Sequence, residues 1–277
     1  MNELNYNERL VICADAVNWL ESSEELLTGS VFTAIPDVKD VVQFNSMKNI
    51  TERAVLYRQW FTRIVHAIFK RLPDGQVAIF SQTDAKFIDT DGQVLEWIDK
   101  SHLCSTVASQ HHCTLLWHKI ALNGDAEVGQ YRPAYTHLLC YGKRFTYHTS
   151  LFRTPDVLDR GLMTWQKATG LDSCILGIAF LCFVVHTPMV VSPFCGHGTV
   201  LSVANYFGLQ ALGIEISPKR ARASQAKTLS HILNAMPATH FLKLGVPESA
   251  IPAASEAIES IDCEVPADGS DDEVHET

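Results

Sequence analysis

The chain has 277 residues, of which 47% are hydrophobic and 19% are charged, and its formal net charge is −9. This length and composition suit one globular domain, and they exclude a chain that is disordered throughout. The longest apolar run, residues 175–185, is too short to span a bilayer, and the polar residues 2–9 lack the basic and apolar regions of a secretory signal.

The negative charge is concentrated in the last part of the chain. Residues 245–277 contain ten acidic side chains and no Lys or Arg, whereas residues 1–244 contain the other 21 acidic side chains and all 22 basic ones. The sequence therefore predicts one near-neutral domain over residues 1–244 and an acidic, disordered tail over residues 245–277. Because a near-neutral domain can still present a local basic face, nucleic acid stays open as a partner.

The eight cysteines are scattered and form no CxxC pair. This distribution predicts reduced thiols in the cytoplasm or another reducing intracellular compartment rather than a disulfide framework. The segment His111-His112-Cys113 and the nearby His118 also have no CxxC partner, so we predict no metal site. The sequence gives no indication of the oligomeric state.

Apolar periodicity predicts strands that alternate with helices, which is the pattern of an α/β sheet. The predicted strands are residues 10–14, 30–33, 76–81, 114–120, 134–141, 189–194 and 210–216. The predicted helices are residues 17–27, 52–70, 93–110, 170–185, one that ends at residue 208, and a last one that Ser217 caps and Pro218 opens. We expect strands 114–120 and 134–141 to form an antiparallel edge of a mostly parallel sheet, and residues 143–167 to be irregular.

A glycine turn follows the strand at residues 189–194, and the next strand ends in Glu215. The turn reads Cys195-Gly196-His197-Gly198-Thr199. Its glycines allow close approach of a ligand, the following helix offers unpaired N–H groups, and an acid at the next strand end can accept both hydroxyls of a ribose. A tight packing turn is the alternative for Gly-x-Gly alone. Leu201 at the third glycine position disfavours NAD.

The turn and Glu215 together resemble the cofactor motif of S-adenosylmethionine-dependent methyltransferases. The resemblance is strongest to the amino-methyltransferase group of DNA N4-cytosine and N6-adenine methylases. Residues 10–16, 30–37, 115–119 with 132–139, and 165–169 match other segments in that group's permuted order, in which the catalytic half precedes the cofactor loop. The resemblance implies a Rossmann-like methyltransferase fold with a seven-stranded sheet, and S-adenosyl-L-methionine as cofactor. The cofactor-binding residues that it implies are Asp15, Ala16, Thr33, Ala34, Thr169, Pro193, Phe194, Gly196, Gly198, Thr199, Glu215 and Ile216.

The catalytic motif of that group, Ser/Asp-Pro-Pro-Tyr, corresponds here to Ala34-Ile35-Pro36-Asp37. Ala34 lacks the side-chain acceptor for the target amine, and Asp37 replaces the aromatic ring that stacks on a flipped base. We expect Pro36 and Asp37 to be catalytic, with Asp37 as acceptor or general base for an imino nitrogen. The alternative is that Asp37 only caps the Pro36 turn.

Residues 143–153 are basic and aromatic, which suits phosphates and unstacked bases, although the rings could instead pack on the core. The expected substrate-binding residues are Asp84, Lys86, Lys119, Arg132 and Arg144. The sequence thus predicts an N-methyltransferase that acts on a nucleic-acid base, in RNA rather than DNA. The alternatives are a small-molecule methyltransferase and a non-catalytic module that binds the cofactor or nucleic acid.

Overall fold

A computed structural model describes residues 9–124 and 133–251 of the chain. The strands are β1 (Arg9–Cys13), β2 (Ser30–Thr33), β3 (Val77–Gln82), β4 (Ala85–Ile88), β5 (Val94–Ile98), β6 (Cys113–Leu122), β7 (Tyr135–Lys143), β8 (Val157–Asp159), β9 (Met189–Ser192) and β10 (Gln210–Glu215). The helices are α1 (Ala16–Glu21), α2 (Val42–Asn45), α3 (Ile50–Arg71), α4 (Lys100–Gln110), α5 (Leu171–Phe180, continued by a π turn), α6 (Thr199–Tyr206), α7 (Pro218–Ala226), α8 (Ser230–Asn234) and α9 (Ala238–Lys243).

The main sheet has eight strands in the order β1-β10-β9-β2-β3-β7-β6-β8. All of them run parallel except β7, which is antiparallel to both of its neighbours. The predicted α/β class and the mostly parallel sheet are confirmed. Two details differ from the prediction. The antiparallel strand β7 lies between β3 and β6 rather than at the edge of the sheet, and a short strand, β8, pairs with β6 and makes an eighth strand. The apolar pattern of the sequence predicts that two strands pair, but it does not show which of the two lies nearer the centre of the sheet.

Helices cover both faces of this sheet. Helices α1, α3 and α4 bury one set of apolar side chains, and α5, α6, α8 and α9 bury another on the opposite face. Helix α3 begins where Asn49 accepts a hydrogen bond from the Glu52 N–H at 3.1 Å, and it buries Tyr57, Phe61 and Ile64 along one side. The sheet is therefore covered by two layers, which leaves its strand ends as the places where a ligand can enter.

The predicted helix over residues 93–110 is wrong in its first part. Gly92 has a φ of 82° and turns the chain after Asp89, so that β5 folds back onto β4 as a separate hairpin. Asp89 Oδ1 accepts hydrogen bonds within the turn from the Gln93 and Asp91 N–H groups. Helix α4 begins only after Asp99, whose Oδ1 accepts from the His102 N–H at 2.9 Å. Turn and cap chemistry thus override the apparent helical period here.

The folded body continues past the predicted boundary at residue 244. Val246 is 2% exposed and packs in the apolar layer with Leu244 and Phe241, and its N–H donates to the Phe241 carbonyl at 3.1 Å. The predicted disordered tail lies outside the described residues from position 252 onward. None of the helices within residues 9–124 and 133–251 combines the length and the hydropathy of a membrane-spanning segment.

Candidate active site

A cavity of about 640 Å³ opens at the carboxyl ends of β1, β10, β9 and β2. This volume lies in the range of small-molecule and cofactor sites. Its wall combines the segments that follow those four strands with helix α2 and with residues 165–169. The lining residues include Asp15, Ala16, Ala34, Pro36, Asp40, Val41, Val42, Gln43, Trp60, Trp165, Lys167, Ala168, Thr169, Pro193, Phe194, Gly196, Thr199, Glu215, Ile216 and Arg220.

The glycine turn between β9 and α6 forms the floor of this cavity. Gly196 and Gly198 have φ values of 54° and 80°, a region that favours glycine. A Cβ atom on Gly198 would lie 2.4 Å from the Ser224 hydroxyl, and one on Gly196 would lie 2.9 Å from the Trp165 ring. Both glycines are thus required by the backbone conformation and by close neighbours. Gly198 shapes the turn without lining the cavity itself.

Two carboxylates lie side by side at the ends of β1 and β10. Cys13 pairs with Glu215 in the parallel ladder, and Asp15 follows two residues later as the N-cap of α1. Glu215 is 7% exposed, and its Oε1 accepts hydrogen bonds from the Ser217 N–H and from Arg220 Nε, both at 2.9 Å. Among the described residues, both of these bonds are made to Oε1, which leaves Oε2 for a ligand hydroxyl.

Residues 165–169 close the opposite side of the cavity. The Trp165 ring stacks on His197 of the glycine turn, with ring centroids 4.4 Å apart. Lys167 Nζ lies 2.8 Å from Asp40 Oδ1, so that an ion pair joins this segment to the loop after β2. The motif match at residues 165–169 therefore corresponds to a wall of the site. Asp40 was missed by sequence reasoning, since an acid three residues after Asp37 carries no motif signal of its own.

Asp37 does not line the cavity, although its neighbour Pro36 does. The Asp37 carboxylate caps the turn that follows, accepting from the Val38 N–H at 2.9 Å, and it lies 3.4 Å from Lys100 Nζ. The Pro36 carbonyl accepts a hydrogen bond from the Tyr57 hydroxyl at 2.9 Å. This geometry favours the turn-capping alternative for Asp37 over the role of general base.

The Trp60 ring lines the cavity. The apolar period of the sequence places Trp60 only on the apolar side of a helix. Its ring packs against Tyr57 and Phe44, with centroids 5.8 and 5.9 Å away, and against Phe194 at 6.5 Å. Trp60 is half-buried, and it lines the cavity together with Pro36. An aromatic surface is therefore present near the catalytic motif, although it comes from α3 rather than from position 37.

The buried thiol of Cys195 does not act as a nucleophile in this arrangement. Burial raises the pKa of Cys195 to about 11, which keeps the thiol protonated at neutral pH. Its sulfur lies 3.5 Å from the Ser224 hydroxyl. Thr33, which the resemblance placed at the cofactor, is fully buried at the end of β2 and does not line the cavity.

Lys119 and Arg144, two predicted substrate contacts, serve the fold instead of the cavity. The Lys119 ammonium donates to the carbonyls of Thr154 and Pro155 at 3.2 and 2.9 Å, and it pairs with Asp156, so it fixes the chain just before β8. Arg144 pairs with Asp74 at 2.9 Å, and this contact joins the end of β7 to the turn before β3.

The other predicted substrate contacts also lie outside the cavity or outside the described residues. Lys86 lies over the Trp97 ring in the β4–β5 hairpin, with its ammonium 4.6 Å from the ring centroid. Asp84 is 3% exposed and is hydrogen-bonded to His137. Arg132 lies outside the described residues. Most of the predicted cofactor-binding residues therefore line the cavity. None of the predicted substrate-binding residues that the structure describes does so.

Comparison with known proteins agrees with this architecture. A scan against protein-family models gives no match, and neither does a search of curated proteins. Among solved structures, the chain resembles TTHA0409 from Thermus thermophilus, a candidate DNA modification methylase in complex with S-adenosyl-L-methionine, with a TM-score of 0.56 and 18% identity over 78% of this chain and 92% of that one. It also resembles the cytosine-N4-specific PvuII DNA methyltransferase, with a TM-score of 0.58 and 14% identity over 86% of this chain and 91% of that one. At these identities the likeness establishes the Rossmann-like methyltransferase fold.

Proposed function

We propose that this protein is an S-adenosyl-L-methionine-dependent methyltransferase that methylates a nitrogen of a nucleic-acid base. The observation that carries the proposal is the cavity at the strand ends, where the glycine turn, Glu215 and Asp15 meet. In an open α/β sheet this edge is where nucleotide-like ligands bind. TTHA0409 has the same fold and was crystallised with this cofactor.

The residues of the cavity fit the cofactor by their chemistry. We assign the ribose hydroxyls to Glu215, the adenine edge to Asp15 and Ile216, and the methionine part to Phe194, Gly196 and the start of α6. When bound, the cofactor supplies an electrophilic methyl group. Arg220 keeps Glu215 in place, because its Nε donates to the carboxylate at 2.9 Å.

We assign the contact with the target nitrogen to Asp40 rather than to Asp37. Asp40 is the carboxylate of the loop after β2 that faces the cavity, and Lys167 orients it through the 2.8 Å ion pair. Asp37 holds the Pro36 turn by capping Val38 and by pairing with Lys100. In this assignment Asp40 accepts a hydrogen bond from the N–H of the base, which Ala34 cannot do.

We assign base stacking to Trp60. The sequence lacks an aromatic ring at position 37, and Trp60 supplies a half-buried ring on the same wall as Pro36. Its position is fixed by Phe44 and Tyr57 behind it, so that little side-chain freedom is lost when a base binds. Stacking on an aromatic ring accepts any base, so Trp60 contributes affinity rather than choice of base.

DNA rather than RNA is the substrate that we propose. The preference for RNA rested on residues 143–153, and much of that segment turns out to be structural. Phe152 is 7% exposed, Phe145 and Tyr147 pack against the core, and the Lys143 ammonium donates to the Leu72 carbonyl at 2.7 Å. The two structural neighbours described above are named for their action on DNA.

The experiment is incubation of the purified protein with isotopically labelled S-adenosyl-L-methionine and, separately, unmethylated genomic DNA, total RNA and a metabolite extract. Nucleosides from each digest are then analysed by mass spectrometry. We expect label on a base nitrogen of DNA. Label only in RNA or only in a small molecule would contradict the proposed substrate, and binding of the cofactor without label anywhere would support the non-catalytic alternative.

A further inference from the structure

We propose that Asp84, Asp99 and His137 form a binding site for a divalent transition-metal ion of the Zn²⁺ class. Asp84 follows β3, Asp99 precedes α4, and His137 lies at the start of β7. One ligand atom from each residue lies within 4.8 Å of the other two. The site is separate from the cofactor cavity, since none of the three residues lines it, and the proposal does not depend on methyl transfer.

The spacing of the two buried ligands fits a tetrahedral ion. Asp84 Oδ2 and His137 Nε2 are 3.3 Å apart. Bonds of about 2.0–2.1 Å to oxygen and nitrogen in a tetrahedron separate neighbouring ligand atoms by about 3.3–3.4 Å. The Asp99 side chain is exposed at the N-terminus of α4, where its Oδ1 accepts hydrogen bonds from the His102 N–H and the Ser101 hydroxyl, and one of its carboxylate oxygens lies within 4.8 Å of the other two ligand atoms.

Neighbouring groups already orient the ligands in the way metal sites require. The Asp84 carboxylate accepts hydrogen bonds from Trp97 Nε1 at 3.1 Å and from the Lys100 N–H at 2.9 Å. His137 Nδ1 lies 2.9 Å from His118 Nε2, so the second ring nitrogen of His137 already has a hydrogen-bond partner, and ligating histidines usually have one there.

The ligand set determines which ion is expected. One imidazole and two carboxylates offer nitrogen and oxygen donors, a combination that Zn²⁺ accepts and that Mg²⁺ and Ca²⁺ do not favour. Three protein ligands leave the fourth tetrahedral position to water. The same contacts also suit a hydrogen-bonded chain from Asp84 through His137 to His118 without an ion, and the experiment separates these two arrangements.

The experiment is calorimetric titration of the untagged, chelator-treated full chain with zinc chloride, accompanied by Co²⁺ absorption spectra as a probe of ligand geometry. We expect one tight site per chain and Co²⁺ bands of a four-coordinate ion. Affinity should fall more than about 100-fold in His137→Gln, and by about 10–100-fold in His118→Asn, which removes only an orienting partner. Asp99→Asn should also weaken zinc binding, because it removes one carboxylate ligand. Asparagine still caps α4, so the start of the helix is kept.

His66→Gln is the matched control, because His66 also pairs with another histidine, His111, at 2.9 Å, but it is not one of the three proposed ligands. We expect it to leave the zinc affinity unchanged. The proposal is overturned if the wild-type chain binds no Zn²⁺, since the hydrogen-bonded chain then accounts for the contacts. It is equally overturned if Zn²⁺ binds as tightly to Asp99→Asn and His137→Gln as to the wild type, because the ion then lies elsewhere.

Discussion

Lys100 Nζ lies 3.4 Å from Asp37 Oδ1, and the lysine is 1% exposed. The same ammonium lies 5.4 and 5.7 Å from the ring centroids of Tyr57 and Phe61. A buried cation of this kind needs an anionic partner. The contact therefore supports the proposed role of Asp37 in holding the turn after β2, whereas Asp40 is the carboxylate of that turn that lines the cavity.

The first prediction contrasts Asp40→Asn with Asp37→Asn. We expect Asp40→Asn to lower single-turnover methyl transfer by about 10²–10⁴, because it removes the carboxylate that contacts the target N–H. Asp37→Asn should change the rate per folded molecule by less than about tenfold, since asparagine caps a turn almost as well. It should nevertheless lower the melting temperature, because it removes the charge that faces the buried Lys100 ammonium. Cofactor affinity, measured in parallel, should stay near the wild-type value in both variants. A larger rate loss in Asp37→Asn than in Asp40→Asn would reverse the assignment.

The second prediction concerns Trp60. Trp60→Ala should weaken binding of the substrate nucleic acid by about 1–3 kcal/mol, the usual contribution of one base–aromatic stack. Trp60→Phe should recover most of that loss, because a smaller ring still offers a stacking face. Fluorescence anisotropy with a labelled oligonucleotide measures both variants, and calorimetry of the cofactor is the control. Equal affinity of Trp60→Ala and wild type for the oligonucleotide would remove Trp60 from the substrate site.

The third prediction compares two glycines of similar conformation. Gly198 and Gly208 have φ values of 80° and 77°, but a Cβ atom on Gly208 meets nothing within 4 Å, whereas one on Gly198 lies 2.4 Å from the Ser224 hydroxyl. Gly208→Ala should cost about 1–2 kcal/mol of unfolding free energy from backbone strain alone. Gly198→Ala should cost more and should also reduce cofactor affinity. Chemical denaturation of both variants checks the difference, and equal losses would show that Ser224 yields without cost.

The fourth prediction concerns the end of the folded body. Removal of residues 252–277 should leave the melting temperature unchanged, because the acidic composition of that segment does not support a core. Truncation after Lys243 should destabilise the protein by about 3–6 kcal/mol, since Leu244 and Val246 are 1% and 2% exposed and each contributes about 1.5–3 kcal/mol. Equal melting temperatures for the two truncations would show that Val246 does not stabilise the body.

Most parts of this site that the sequence predicts well are those in which a motif lies at the end of a strand. The glycine turn, Glu215 and Asp15 were identified in this way, and their segments border one cavity. In these cases a short motif determines both the backbone conformation and the direction in which the chain leaves the sheet. Residues 165–169 do not follow a strand directly, and only the resemblance to a known motif identified them.

The parts that the sequence does not predict depend on contacts between distant segments. Trp60 belongs to a helix whose apolar period predicts burial, and only the tertiary structure shows that its ring also borders the cavity. Asp84 and His137 are 53 positions apart and meet through the pairing of β3 with β7. The contact of Asp37 with Lys100 joins residues 63 positions apart, so the sequence could not show it.

The central claim is that the cavity binds S-adenosyl-L-methionine, and calorimetric titration of the wild-type protein and of Glu215→Ala tests it most directly. We expect saturable, one-to-one binding to the wild type and a loss of about 2–4 kcal/mol of binding free energy in the variant, because the variant loses the proposed charge-assisted hydrogen bonds between the carboxylate and the ribose. Glu52→Gln, an exposed change at the start of α3 outside the cavity, should bind as the wild type does. Absence of binding to the wild type, or equal affinity in Glu215→Ala, would contradict the account.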